Sequence, residues 1–273
     1  MSAAENLDPY SSVLGFFATD LRRRRERAHV SQRRLAQEAG MSASYLNKIE
    51  SAQRLPTERL AKVSDAIFRT EDHYERLWPL VIKYAYPPWF RPFVELEEQA
   101  TRIRSFQVQV VPGLLQTEAY ARSVLSTSRA DAEVVEEHVA ARLARQRILQ
   151  RAEAPRLWVV LDENVLRRRQ GSRAVMREQL DQLAAAAENP RIVIQVIPYD
   201  EGGHAGMAGP FAMLHLDTGP DVVMADGFRQ GQILGGAEDL AEADHTYDLL
   251  LAVAATPDRS LDMIAAASKD LSQ

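Results

Sequence analysis

The spacing of Ser31, Gly40 and Ser42 constrains this chain more than any other feature. Each serine suits a helix N-cap, because its hydroxyl accepts a backbone N–H that the first turn leaves unpaired. Between them, Leu35, Ala36 and Ala39 give a short helix over Gln32–Ala39 an inward stripe, and Gly40 supplies a left-handed residue to end it. After Ser42, Leu46 and Ile49 dock a second helix, Ala43–Glu50, leaving Ala43, Ser44, Asn47 and Lys48 on its polar side. Two short helices joined by a three-residue, glycine-containing turn fit a DNA major groove when the second exposes small polar and cationic groups near its start.

The flanking sequence extends this module. Leu14, Phe17, Leu21 and Ala28 fall at helical spacing and predict a first helix ending near His29. Beyond Pro56 and a capping Thr57, Leu60, Val63 and Ile67 predict another helix. A fifth, from about Glu71 to Tyr84, turns Tyr74, Leu77, Val81 and Tyr84 inward and carries a kink at Pro79. Charge is distributed to match. Residues 20–54 hold nine basic and four acidic side chains, a local +5 in a chain of net −5, so the rest carries −10. Such asymmetry orients one end toward a polyanion, although an arginine run alone reads equally well as a solvated helix face.

Through "SQRRLAQEAGMSASYLNKIESAQRLPT", the stretch from Phe17 to Phe68 resembles the Xre-type (lambda-repressor-like) helix-turn-helix family of transcriptional regulators. The resemblance implies that Gln32 clamps a phosphate while Ala43, Ser44 and Lys48, with Asn47 beside them, face base edges. Lys48 suits guanine O6 and N7, serine suits either partner, and the alanine methyl suits a thymine methyl. Arg33, Tyr45, Ser51 and Arg54 are expected on the phosphate backbone, where they fix register. Three residues depart from the family pattern. His29 and Ala52 stand where glycines end the flanking helices, and Arg34 replaces a capping-box glutamate.

Tyr86–Pro92, rich in proline, cannot continue a helix and is expected to link two domains: a tail over 1–13 and a DNA-binding domain over 14–85 before it, and a larger domain over 93–273 after it. Helical patterns cover roughly Val94–Arg104, Leu115–Leu125, Asp131–Arg151, Ser172–Glu188, Ala237–Ala254 and Leu261–Ala267. Apolar runs at Leu157–Leu161, Ile192–Ile197, Phe211–Leu216 and Val222–Met224 predict about four strands buried on both faces. The expected class is therefore α+β multidomain: an all-α helix-turn-helix domain, then an α/β domain with helices around a small sheet. "VPGLLQTEAYARSVL", "RLARQRIL", "LDENVLRR" and "QVIP" resemble the uncharacterised domain that follows an Xre-type helix-turn-helix in many actinomycete regulators. That resemblance implies an antitoxin-like regulator paired with a small protein partner encoded nearby, and it supplies no catalytic residues.

Other chemistry finds little support. The absence of cysteine removes thiolate catalysis and Cys-ligated metal, and no apolar run has the length of a membrane span. Asp162, Glu163, His204, His215 and Asp226 lie near strand ends but have no metal-ligand spacing such as HExxH. The Gly202–Gly209 loop matches no phosphate-binding pattern, and Arg142, Arg145, Arg147 and Arg151 read as the wet stripe of a helix. The sequence thus leads to a cytoplasmic regulator without cofactor, metal or enzymatic activity. It is expected to bind double-stranded DNA on a palindromic operator as a homodimer, its C-terminal domain serving dimerisation, ligand sensing or partner binding. The alternative is an antitoxin-like interaction module that sequesters a small partner and autoregulates its operon.

Overall fold

Four helices near the N-terminus end in the same way, and only one of them does so on glycine. In each, a residue just past the helix turns left-handed and a backbone N–H reaches back five residues, a closure that satisfies carbonyls the last turn leaves open. The left-handed residues are His29 (φ 53°), Gly40 (φ 71°), Ala52 (φ 56°) and Arg69 (φ 54°). The closing bonds are Val30 N–H to the Arg25 carbonyl, Met41 to Ala36, Gln53 to Lys48 and Thr70 to Asp65. Side chains with a Cβ resist this conformation. Ala52→Gly and His29→Gly should each raise stability by about 1 kcal/mol, read as a higher thermal midpoint of an otherwise unchanged protein.

The computed structural model describes residues 9–10, 12–227 and 230–271, so the tail expected over 1–13 falls largely outside the described residues. The helices so closed are α1 (Val13–Arg27), α2 (Gln32–Glu38), α3 (Ala43–Glu50) and α4 (Glu58–Phe68), and α5 (His73–Tyr84) follows with Pro79 inside it. Ser12, Ser31, Ser42 and Thr57 cap the first four, each accepting a backbone N–H three residues on. Phe17, Leu21, Leu35, Leu46, Ile49, Leu60 and Tyr74 are fully buried between these helices. Ala28 and Tyr84, expected inward, are exposed. Ala28 is already the C-cap of α1, and the buried stripe ends instead on Arg25.

By internal packing the chain forms two units: residues up to Pro88 together with 130–141, and Trp89–Arg129 together with the residues from Arg142 onward. The expected linker over 86–92 runs into α6 (Arg91–Glu97), which accepts Pro92 in its first turn because the N–H that proline lacks has no intrahelical partner there.

The second unit is built on a six-stranded mixed sheet, two strands more than the sequence suggests. The strands are β1 (Ala100–Gln107), β2 (Arg156–Asp162), β3 (Ile192–Ile197), β4 (Phe211–Leu216), β5 (Val222–Ala225) and β6 (Gln232–Leu234), in the order β3-β2-β1-β4-β5-β6. β1, β2 and β3 are parallel, and β4, β5 and β6 continue antiparallel. β1 lies where a helix over Val94–Arg104 is expected. Neither glycine nor proline marks the end of α6, so in the sequence the apolar pattern of Val94 and Leu96 runs on into Ile103 without a stop.

Between the strands in the chain lie α7 (Glu118–Ser126), α8 (Ala132–Arg145), whose residues up to 141 belong to the first unit, α9 (Asn164–Arg167) and α10 (Arg173–Ala186), and α11 (Ala237–Val253) and α12 (Pro257–Asp270) complete the second unit. One face of the sheet carries the main core, where Ile103, Leu157, Val159, Leu161 and Ile194 meet Phe93, Tyr120, Met176, Leu180 and Ile264. On the other, Tyr247 and Leu250 of α11 pack on Phe106, Val160, Ile197, Met213 and Val223. β2 is not buried on both faces along its length, since Arg156 and Trp158 are exposed.

Candidate nucleic-acid interface

α3 is held from behind by a carboxylate. Glu50, the last residue of the helix, is 2% exposed and takes both oxygens to Arg25 of α1, at 2.6 Å from Nε and 2.9 Å from Nη2. Nη1 of the same guanidinium donates to the Val30 carbonyl. A fork of this kind fixes orientation as well as distance. Hydrogen bonding to Glu50 raises the Arg25 pKa against the opposing effect of burial, so the cation persists. Gln32, opening α2, donates its side-chain amide to Glu50 at 2.6 Å and to Asn47 at 3.3 Å. One carboxylate thereby ties α1, α2 and α3 together.

Fixed in this way, α3 turns Leu46 and Ile49 into the core and leaves Ala43, Ser44, Asn47 and Lys48 exposed along one strip. Arg33 is exposed at the start of α2. Nine cations over 20–54 do not all face solvent, however. Arg22 pairs with Glu26, Arg24 with Asp20, Arg34 with Glu38, and Arg25 is buried. Arg23, Arg27, Arg33 and Lys48 form no ion pair among the described residues.

Two residues expected on the phosphate backbone have other partners here. Arg54 donates to Glu136 of α8 at 2.5 Å, and its guanidinium lies 6.0 Å from the Tyr45 ring. The Ser51 hydroxyl donates to the Asn47 carbonyl at 2.9 Å, closing α3. The side-chain amide donors of Gln32 are likewise engaged within the module, by Glu50 and Asn47.

A second tie secures α5. Asp20 accepts hydrogen bonds from Arg24 at 2.9 Å and from the Tyr74 hydroxyl at 3.0 Å, with the His73 ring at 3.0 Å. Burial works to raise the Asp20 pKa, and these three contacts outweigh it and leave it lowered.

The sequence hints at Arg25 and Glu50 through position alone. Glu50 follows Leu46 and Ile49 at i+4 and i+1 on the buried stripe, and Arg25 continues Phe17 and Leu21 at the same spacing. A charge on a core-facing stripe calls for a partner.

In the second unit, the polar residues near strand ends separate into local ties. His204 Nδ1 accepts the Gly206 N–H, so Nε2 carries the proton and donates to Asp162 at 3.1 Å. Glu163 accepts from Tyr199 N–H and from Arg167. Gly206 lies against Phe106, where an added Cβ would approach the ring to 2.1 Å. His215 pairs instead with Asp221 at 2.6 Å and Arg104 at 3.0 Å. It stands opposite Arg102, four residues along β1 from the Phe106 that His204 packs on, a separation of about 13 Å. Burial raises the pKa of Asp226, against the pull of Arg145.

Of the four arginines expected on a wet stripe, Arg147 and Arg151 are exposed, whereas Arg142 and Arg145 are not. Arg145 is buried against Glu97 at 3.0 Å and packs over Phe90 at 5.3 Å, while Arg142 donates to the buried Gln116. Burial pushes the Glu97 carboxyl up, against the pull of Arg145. A Cβ at Gly113, in the Val111–Thr117 turn, would sit 2.6 Å from Arg145 Nη2 and oblige that guanidinium to shift.

The arrangement of α2 and α3 defines a helix-turn-helix protein, a DNA-binding class, and residues 17–76 match a family described as a helix-turn-helix domain. Residues 90–266 match the family described as a domain of unknown function, DUF5753, and the chain belongs to that family. No curated protein and no solved structure matches it. Among the described residues, no helix is long and apolar enough to cross a membrane.

Proposed function

We propose that this chain is a cytoplasmic, sequence-specific transcriptional regulator of the Xre type, without cofactor or enzymatic activity, that places α3 in the major groove of its operator. The observation that carries this reading is the exposed strip of Ala43, Ser44, Asn47 and Lys48 on a helix whose opposite side is locked by Arg25, Glu50 and Gln32. A rigid helix positions its side chains within the tolerance that base readout needs. Lys48 donates to guanine, Ser44 bonds to either partner, and the Ala43 methyl meets thymine. Arg33 and the exposed Arg23 and Arg27 attract phosphate. Such a strip reads few bases, so two copies on a palindrome give the affinity that one lacks. The test is selection from a random duplex library by the full-length protein. An enriched inverted repeat with half-sites about one helical turn apart is the expected result; a library that stays random after repeated rounds contradicts the reading.

On this reading Glu136 competes with DNA for Arg54. Glu136→Gln should raise affinity for operator and unrelated duplex alike, by about tenfold at low salt, and steepen the logarithmic salt dependence by about 0.9. Titrations of both duplexes at several salt concentrations check it.

A further inference from the structure

The two faces of the sheet are covered unequally. Side chains of α6, α7, α10 and α12 fill one face, whereas on the other α11 and the turn carrying His204 and Gly206 pack around Phe106 and cover only part of the face. The beginnings of β1 and β2 stay open there, exposing Arg102, Arg156 and Trp158. Register sets Arg102 beside Arg156 and Arg104 beside Trp158. Neighbouring like charges on adjacent strands repel, and the Arg156 guanidinium makes no hydrogen bond or ion pair among the described residues. Trp158 is 37% exposed, yet its ring is held by an indole N–H bond to Gln195 at 2.8 Å. Parallel strands are ordinarily buried on both faces. This floor is therefore cationic, aromatic, rigid and short of one helix.

α11 borders that floor, with the Tyr247 hydroxyl bonded to the Trp158 carbonyl and Asp244 paired with Arg104. Its exposed stripe carries Glu238 and Glu242, then Leu249 at 45% exposure. One face of the unit thus presents a positive floor beside a negative helix. Such a surface is self-complementary under a two-fold axis, which lays each floor against the other copy's helix.

We propose that a second copy of this chain docks here, its α11 lying on the Arg102–Arg156–Trp158 floor and supplying the missing helix layer. The inference rests on the dimeric reading above and names the surface that forms it. Light scattering on full-length protein tests it. Wild type should show twice the chain mass. Arg102→Glu/Arg156→Glu carries two negative surfaces and Glu238→Arg/Glu242→Arg two positive ones, so each alone should fall to the single-chain mass with unchanged circular dichroism. An equal mixture should regain the doubled mass, since each floor then meets a helix of opposite charge. A wild type of single-chain mass, a variant that remains doubled alone, or a mixture that stays single overturns the proposal. So does a monomeric wild type whose tryptophan emission shifts with a short single-stranded oligonucleotide, the shift vanishing in Trp158→Ala, which gives the face to nucleic acid. Binding of the variants to random duplex at low salt separates the two readings: if it persists, loss of this surface leaves the DNA-binding module intact.

Discussion

Glu50→Ala should destabilise the helix-turn-helix unit by about 3–5 kcal/mol, measured by urea denaturation. The loss comes less from a missing attraction than from Arg25, left charged and buried with half its donors unmet. Glu50 also accepts the Gln32 amide, so α2 loses its tie to α3 in the same step. A loss of this size is comparable with the whole stability of a small unit, and much of the variant should be unfolded at ordinary temperature. Replacing both partners, in Arg25→Leu/Glu50→Leu, should recover most of the loss, because no uncompensated charge then remains in the core. A double variant as unstable as Glu50→Ala would show instead that the pair acts through shape and not through charge.

Lys48→Ala should cost about 1–3 kcal/mol of operator binding and much less on unrelated duplex, because its ammonium reads a base edge. Arg33→Ala, by contrast, should weaken both duplexes alike and lower the salt slope by about 0.9, as loss of one phosphate contact requires. Neither side chain makes an ion pair among the described residues, so neither change should move the folding midpoint by more than about 0.5 kcal/mol. Equal losses from Lys48→Ala on operator and random DNA would place the residue on the backbone.

The helices of the DNA-binding unit are legible because caps and stripes agree. Ser31, Ser42 and Thr57 stand where helices begin, and Leu35, Leu46 and Ile49 repeat at helical spacing. Their ends are less legible from residue type: Gly40 alone advertises the left-handed conformation, His29 and Ala52 take it where the resemblance expects glycine, and Arg69 takes it without a signal. In the larger unit, the strands from β2 to β5 announce themselves as apolar runs. β1 does not, because arginines on its open face interrupt the run and α6 leads into it without a stop signal. β6 has only three residues and little pattern to read.

The candidate site is legible in its exposed strip but not in its support. Local sequence marks Ser44 and Lys48, whereas the pairing of Arg25 with Glu50 joins residues 25 apart and is fixed by packing. The same holds for Arg54, whose partner Glu136 lies 82 residues away in α8. Arg145, read as a solvent-facing cation, is buried because Glu97 and Phe90 come from a different element.

The most direct test of the account is a fluorescence-anisotropy titration of the full-length protein against the DNA upstream of its own gene and a scrambled duplex, at two salt concentrations. Binding to the upstream fragment should be tighter, weaken steeply as salt rises and lose its preference in Lys48→Ala. Equal, salt-insensitive binding to both duplexes by a folded protein would contradict the assignment of α3 as a reading helix.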